Sequence, residues 1–275
     1  MSWALAQART RTKQANLPLE PVGARVPSEV SEKIRLNRFL ARAGIASRRK
    51  SDDLITSGVV RVNGETVDTP GVVVDPNHDR IEVRGQLVNL PESFHYLLLN
   101  KPAGLLVTRS DERGRATVFE HISGLRPGIV AVGRLDRDTT GVLLLTDDGE
   151  LAHRLMHPCY GIDKVYHANI KGVPSPTLLR RLRRGIELED GMTAPAQAQL
   201  VTDDKHDPEP ILQIRIREGR KRQVRRMCQA IGHPVKALHR IEFAGLTSKR
   251  LRPGESRHLK PSEVANLLKL VNLSR

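Results

Sequence analysis

In the segment that follows position 33, apolar residues recur every three or four positions, which is the spacing of a helix with one buried face. Four of them share one face of a first predicted helix: Leu36, Phe39, Leu40 and Ala43. Gly44 should end this helix, because glycine readily adopts the left-handed conformation found at helix C-termini. Ser47 can cap a second helix that runs to Gly58, since its hydroxyl can accept a hydrogen bond from a free main-chain N–H. The pattern therefore predicts two consecutive helices.

Short β-strands are predicted after these helices. Asn63-Gly64 separates strands at 59–62 and 65–67, and it predicts a tight hairpin because both residues tolerate positive φ. Another strand is expected at 80–84. The stretch from Leu87 to His95 has no regular pattern, and we interpret it as a linker to the rest of the chain.

From Tyr96 onward, short strands alternate with single helices. The apolar run 142–145 predicts a buried strand, and the alternation over 211–217 predicts a strand with one buried face. Three helices are predicted from their capping signals, one from Asp147 or Asp148 to before Pro158, one from Ser175 to Gly185, and one opened by Ser262. This order favours an α+β domain with a largely antiparallel sheet.

The chain is strongly basic, with 45 Lys plus Arg against 31 Asp plus Glu and a net charge of +14. Such a balance favours a polyanionic partner, nucleic acid first. The two cysteines, Cys159 and Cys228, are far apart and suggest neither a disulfide scaffold nor a zinc site, so we expect a reducing cytoplasm. No apolar stretch reaches the length of a membrane span, and no amphipathic helix has large apolar aromatics opposite a basic face, so we expect no membrane association. Residues 1–32 mix prolines and charges without periodicity, which is typical of a flexible basic arm.

The basic residues are concentrated in one run that contains no acid. Between positions 33 and 50 it comprises Lys33, Arg35, Arg38, Arg42, Arg48, Arg49 and Lys50. A solvated helix face would explain a few of these charges. Seven charges of one sign repel one another unless an anion completes the site, so we interpret the run as an RNA contact.

Residues 218–227 are also basic and predict the start of a helix that ends before Gly232. Val224, Met227, Cys228 and Ile231 form an apolar stripe, and Arg222, Arg225, Arg226 and Gln229 form a polar stripe on the opposite side. One face should pack on the core while the other meets an anion. Cys228 is then a small buried apolar residue rather than a reactive thiol. His153 and His157 have metal-like spacing, but we predict no metal site because the glutamate of a zinc-protease helix is missing.

The segment Gly133-Arg134-Leu135-Asp136-Arg137-Asp138-Thr139-Thr140-Gly141 immediately precedes the buried strand at 142–145. Loops that enter buried strands often position catalytic groups. An isolated Arg-Leu-Asp would be better explained as a solvated loop with weak surface ion pairs. The full nonapeptide, however, resembles the active-site motif of pseudouridine synthases of the RsuA and RluB group.

Three further motifs resemble the same family and follow its order: Asn100-Lys101-Pro102-Ala103-Gly104, Lys164-Val165-Tyr166, and the basic segment 218–227. The helix-helix-hairpin pattern before them resembles the S4-type RNA-binding domain. After the flexible arm at 1–32, which lies outside the match, the resemblance implies an S4-type domain at 33–90 and a catalytic domain at 95–272. It spans roughly Leu36 to Leu259, nearly the whole chain.

The family resemblance also implies roles for individual residues. Asp136 would be the catalytic carboxylate, Arg225 its cationic partner, and Tyr166 the ring that stacks on the uracil. Arg134 would assist eversion of the target nucleotide. The RNA contacts would further include Arg222, Arg38, Arg48, Arg49 and Lys50. No cofactor is needed, because forming pseudouridine from uridine is an isomerisation.

We therefore predict a monomeric, cytoplasmic enzyme that isomerises a specific uridine in ribosomal RNA or in a ribosome-assembly intermediate. The resemblance favours large-subunit over small-subunit rRNA. The alternative is a non-catalytic RNA-binding factor in ribosome assembly, whose basic surface could be identical. A pure binder has no need for Asp136, Tyr166 and Arg225 together, and this combination favours the enzyme.

Overall fold

A computed structural model describes residues 33–201 and 209–274 of the chain. The expected flexible arm at 1–32 lies outside these residues. The described residues form an α+β fold with largely antiparallel sheets, as predicted. Within this part of the chain, no helix is long and apolar enough to cross a membrane.

The N-terminal unit consists of two helices and two small sheets around one apolar core. Its strands pair in the orders β3-β2-β5-β6 and β1-β4. Gly44, at φ +79°, follows the first helix, and the Ser47 hydroxyl accepts a hydrogen bond from the Lys50 main-chain N–H at 3.4 Å, so both helix signals are confirmed. The elements are β1 (Ile34–Arg35), α1 (Leu36–Arg42), α2 (Arg48–Thr56), β2 (Val60–Val62), β3 (Glu65–Val67), β4 (Val73–Val74), β5 (Ile81–Val83) and β6 (Gln86–Leu87).

The C-terminal unit is built on one large sheet with helices on both faces. Its first half comprises β7 (Tyr96–Lys101), α3 (Val118–His121), β8 (Val130–Ala131), β9 (Thr139–Thr146), α4 (Gly149–Met156), a 3-10 helix (Pro158–Tyr160), β10 (Lys164–Ile170) and α5 (Pro176–Arg184). Its second half comprises β11 (Glu187–Leu188), β12 (Gly191–Met192), β13 (Gln197–Leu200), β14 (Ile211–Ile216), α6 (Gln223–Ala230), β15 (Val235–Phe243), β16 (Leu246–Thr247), β17 (Ser256–His258) and α7 (Pro261–Leu270).

The large sheet has the order β13-β14-β10-β15-β9-β7-β17, with β16 beside β15 and β8 beside β9. Among the described strands only β9 and β15 pair in parallel, and Gly141 lies opposite Arg240 in this pairing. A Cβ on Gly141 would lie 2.2 Å from the Arg240 carbonyl oxygen, so only glycine permits this close approach. The parallel pairing thus begins just after the loop that contains Asp136.

Each face of the sheet has its own apolar core. Side chains of α3, α5 and α6 pack on one face, and those of α4 and α7 pack on the other. The predicted stripe of α6 is confirmed, because Val224, Met227, Cys228 and Ile231 are all buried. Burial also raises the pKa of the Cys228 thiol to about 12, which agrees with an apolar packing role.

One helix start differs from the prediction. The last helix begins at Pro261, and Ser262 lies inside it rather than opening it. The Glu263 carboxylate accepts a hydrogen bond from the Lys260 main-chain N–H at 2.8 Å, and proline at the first position has a φ already suited to a helix. These two local features place the start one residue earlier than serine capping alone would.

Candidate active site

Asp136 lies in the loop between β8 and β9, where the sequence predicts it. Its main-chain carbonyl accepts a hydrogen bond from the Thr139 N–H at 3.1 Å, which closes a turn at the start of β9. The neighbouring Leu135 is buried in the core, whereas the Asp136 side chain is 35% exposed. The loop is therefore anchored by Leu135 and leaves the carboxylate accessible.

A buried lysine holds this loop from behind. Lys101, at the end of β7, is fully buried, and its Nζ donates hydrogen bonds to the carbonyl oxygens of Thr139 at 2.9 Å, Pro102 at 3.0 Å and Arg137 at 3.3 Å. The Gly104 N–H also donates to the Arg137 carbonyl at 2.8 Å. The motif at 100–104 thus fixes the main chain on both sides of Asp138.

Burial lowers the pKa of Lys101 to about 8, and the carboxylates of Asp138 and Asp136 oppose this shift. The ammonium is therefore mostly charged at neutral pH. It therefore places a positive charge close to the carboxylates of Asp138 and Asp136.

The partner of Arg225 differs from the prediction. Its Nη2 lies 2.9 Å from the Asp138 carboxylate, and its Nη1 donates to the Val235 carbonyl at 3.2 Å. The residue closest to the Asp136 carboxylate among the cations is Arg222, whose Nη1 lies 3.9 Å from it and 3.4 Å from Asp138. The expected pairing of Arg225 with Asp136 is thus wrong in this structure, because Arg225 is held between β15 and Asp138.

Arg225 is nevertheless well buried, with only 10% of its side chain exposed. Burial lowers the pKa of its guanidinium, and the Asp138 carboxylate opposes that shift. Its Nε is buried without a hydrogen-bond partner among the described residues. The buried guanidinium of Arg225 therefore places a positive charge that interacts with the carboxylates of Asp138 and Asp136.

Tyr166 lies on β10 and is 8% exposed. Its ring belongs to the same core cluster as Leu135, Ala168 and Ile170, so it packs in the core that anchors the Asp136 loop. Its hydroxyl makes no hydrogen bond within the described part of the chain. Packing in the core fixes the Tyr166 ring in place. That the ring stacks on the uracil stays a prediction.

The predicted RNA contacts fall into three groups. Arg134 is exposed beside the Asp136 loop, and Arg48, Arg49 and Lys50 are exposed in the first turn of α2. None of these four has an ion pair with a described residue. Arg38, in contrast, lies 2.9 Å from the Glu150 carboxylate on α4. Arg222 lies 3.9 Å from the Asp136 carboxylate and 3.4 Å from that of Asp138, so the structure brings it to the same place as Asp136.

Two residues of this arrangement were missed in the sequence. Lys101 belongs to the motif at 100–104, and its position two residues after the apolar run 97–99, at the end of a buried strand, is the signal that could have identified it as a buried cation. Nothing in the sequence distinguishes Asp138 from the other charged residues of the segment 133–141. Only the fold shows that it binds both Arg222 and Arg225.

The comparisons with known proteins agree with this site. The family described as RNA pseudouridylate synthase matches residues 95–230, and the S4 domain family matches residues 34–79. The chain is 49% identical to "Ribosomal large subunit pseudouridine synthase B" of Bacillus subtilis, over 86% of this chain and 97% of that protein. It is 43% identical to "Uncharacterized RNA pseudouridine synthase" of Aquifex aeolicus, over 87% of this chain and 96% of that protein.

A solved structure is also similar. It is described as "Crystal structure of pseudouridylate synthase", with 31% sequence identity and a TM-score of 0.61. The similarity covers 85% of this chain and 99% of that one. The family matches and the similar solved structure thus include both the N-terminal and the C-terminal unit of the chain.

Proposed function

The chain belongs to the RNA pseudouridine synthase family, and we propose that it isomerises a uridine of large-subunit ribosomal RNA to pseudouridine. The name of the Bacillus subtilis relative supports the large subunit. The reaction breaks the bond from ribose C1′ to uracil N1, turns the base, and joins C1′ to C5. Every atom of the substrate is retained, so the reaction consumes no redox partner and no phosphoryl donor.

Asp136 is the proposed catalytic carboxylate. Attack on the base, attack on C1′ and removal of a ribose proton all begin with this group in its ionised form. The observation that supports it best is its setting, because the side chain is accessible on a loop fixed by Lys101 and flanked by Arg222. These cations place positive charge around the carboxylate that meets the uridine.

Arg225 and Tyr166 support the same step. Arg225 holds Asp138 and thereby the turn that contains Asp136, so it acts on the carboxylate through the loop. Tyr166 is proposed to stack on the uracil from the core side. Arg134 is exposed and free to contact the strand that the target nucleotide leaves.

The N-terminal unit is proposed to supply affinity. We assign residues 33–90 to RNA binding, with Arg48, Arg49 and Lys50 on phosphates, and residues 95–272 to catalysis. The substrate is rRNA or an assembly intermediate, and we propose a monomer that acts in the cytoplasm without a membrane. Two free cysteines, one of them exposed, fit a reducing compartment.

The direct test is to incubate the purified protein with large-subunit and small-subunit rRNA and to map pseudouridine at single-nucleotide resolution. We expect a new pseudouridine at a defined position in the large-subunit rRNA. Tight binding to rRNA without any new pseudouridine would favour the alternative of a non-catalytic assembly factor. Modification confined to the small-subunit rRNA would overturn the assignment of the substrate.

A further inference from the structure

We propose that the N-terminal unit is docked on the C-terminal unit, and that this dock sets the distance along the RNA between the anchored segment and the target uridine. The dock consists of Arg38, Arg42 and Gly44 on one side and Glu150, Phe94 and Pro127 on the other. The inference rests on the proposed function, because it concerns the choice of the uridine that reaches Asp136.

The closest approach is between Gly44 and Pro127. A Cβ on Gly44 would lie 2.5 Å from the Pro127 Cβ, so the backbone after α1 packs directly on the loop before β8. A Cβ on Gly128 would lie 3.3 Å from the Ala41 carbonyl oxygen. Two glycines from different units therefore meet main chain to main chain, which is typical of a packed contact.

Two arginines of α1 extend this contact. The Arg42 guanidinium lies 4.4 Å from the centre of the Phe94 ring, and Phe94 is itself buried in the core under α4. Arg38 lies 2.9 Å from the Glu150 carboxylate. Arg154 lies 3.0 Å from the same carboxylate and donates hydrogen bonds to main-chain carbonyls after α7, so Glu150 is fixed to the catalytic body.

The connection between the two units is short. Val88 is buried in the N-terminal core and Phe94 in the C-terminal core. Only residues 89–93 lie between these two fixed points, and six Cα steps span at most roughly 20 Å. The predicted linker of Leu87 to His95 is therefore anchored near both ends, and it limits how far the N-terminal unit can move.

A cleft of about 1170 Å³ lies between the units beside the dock. Arg48 and Lys50 line it from the N-terminal side, and His153 and Met156 of α4 line it from the other. Its acids are internally paired, since Asp147 and Asp148 accept hydrogen bonds from the His95 N–H and the Tyr96 hydroxyl, and Glu150 binds Arg38. Arg48 and Lys50 have no ion pair with these acids, and they can contact an RNA strand held at a fixed distance from Asp136.

If the N-terminal unit is fixed, the rate of modification should depend strongly on the number of nucleotides between the target uridine and the RNA segment that this unit binds. The probe is a large-subunit rRNA fragment that the wild-type protein modifies, with one to three nucleotides inserted or deleted between the target uridine and the flanking stem. At saturating RNA, we expect a single-nucleotide change to lower the wild-type rate by about tenfold or more, because catalysis requires close positioning.

The double variant Arg38→Glu with Arg42→Glu breaks the dock by placing carboxylates against Glu150 and Phe94. We expect its rates on the different spacings to agree within about threefold. Arg181→Glu with Arg184→Glu on α5 is the matched control, because these exposed residues lie outside the dock and the cleft and the change in net charge is equal. This control should keep the wild-type dependence on spacing. Adding Glu150→Arg to Arg38→Glu should restore part of that dependence.

Equal rates on all spacings with the wild-type protein would overturn the dock, and so would an unchanged dependence in the Arg38 and Arg42 variant. Equal flattening in the Arg181 and Arg184 control would assign the effect to charge alone, which also contradicts the inference. Absence of pseudouridine with the wild-type protein on every rRNA would instead contradict the proposed function, so the two failures are distinguishable.

Discussion

Arg225 binds the carboxylate of Asp138, at 2.9 Å, rather than that of the predicted catalytic residue two positions earlier. The same guanidinium donates to the Val235 carbonyl, so it bridges the loop that contains Asp136 and β15. Because β15 runs parallel to β9 just beyond this loop, the bridge and the strand pairing hold one piece of backbone from two directions. Positioning of Asp136 thus depends on residues that do not touch it.

The first prediction concerns Asp136→Asn. The change is isosteric and removes only the charge, so isomerisation should fall by at least about 1000-fold while folding and RNA affinity stay near wild type. Pseudouridine mapping, RNA binding and thermal unfolding measure these three properties. Asp138→Asn is the control, since it removes the same charge two residues away and should retain measurable turnover. Full turnover by Asp136→Asn would refute the proposed mechanism.

The second prediction is that Arg225→Lys is not conservative. Arg225 reaches the Asp138 carboxylate and the Val235 carbonyl with two different nitrogens, Nη2 and Nη1, whereas a lysine carries all its donors on one nitrogen and should lose one of these contacts. Losing one charge-assisted hydrogen bond costs about 1.5–3 kcal/mol, which corresponds to a rate lower by roughly 10- to 100-fold. The loss should appear in the single-turnover rate at saturating RNA, with RNA affinity nearly unchanged. Wild-type turnover would show that the bridge has no part in positioning Asp136.

The sequence predicted most elements of the fold, because the signals involved are local. Ser47, Ser175 and Gly44 act within one helical turn of themselves, and the alternation in β14 reflects burial of one face. The start of α7 was misplaced because the Glu263 carboxylate and Pro261 together outweigh the serine signal. Such competition between neighbouring signals is not visible from residue types alone.

The candidate site was predicted only in part. Asp136, Tyr166 and Arg225 were recognised as members of motifs, but the pairing of charges depends on how three distant segments meet in space. Lys101 contacts the loop from 36 and 38 residues away in sequence, and Arg225 contacts Asp138 from 87 residues away. No periodicity records these separations, so the lysine behind the loop and the role of Asp138 required the structure.

The third prediction uses the buried ammonium of Lys101. In Lys101→Met the carbonyls of Thr139, Pro102 and Arg137 lose their shared donor, so the loop should loosen and isomerisation should fall. Stability should also show a distinct pH dependence. The pKa of Lys101 falls from 10.5 in the unfolded chain to about 8 in the folded protein, so the unfolded chain binds more protons between these values.

The free energy of unfolding of the wild type, measured relative to Lys101→Met, should therefore rise from pH 8 to pH 10.5. The slope cannot exceed about 1.4 kcal/mol per pH unit, the value for one proton. Below pH 8 the difference should level off. Denaturant unfolding of both proteins over this pH range measures it, with Lys171→Met, an exposed lysine, as control. A difference that stays constant across the window would show that Lys101 is not desolvated as described.

The last prediction concerns Arg48, Arg49 and Lys50, which are exposed in the first turn of α2. Positive charges are unfavourable at a helix N-terminus, where the helix dipole is itself positive, and no acid in that turn compensates them. An anionic partner would explain their position. Replacing all three by alanine should leave the free energy of unfolding unchanged or slightly higher, while RNA binding weakens.

If each of the three contacts one phosphate, the slope of log affinity against log salt should decrease by roughly 2 to 3. Arg180, Arg181 and Arg184 on α5 provide the control, because Arg181 and Arg184 lie in the last turn of their helix, where the dipole favours cations without any ligand. Their replacement by alanine should change the slope by less than about 0.9, the value expected for one phosphate contact. Binding of the same rRNA fragment, measured over a salt series for the wild type and both variants, distinguishes specific phosphate contacts by α2 from attraction through net charge. An equal decrease in both variants would mean that the chain attracts RNA through its net charge, and that α2 is not its anchor.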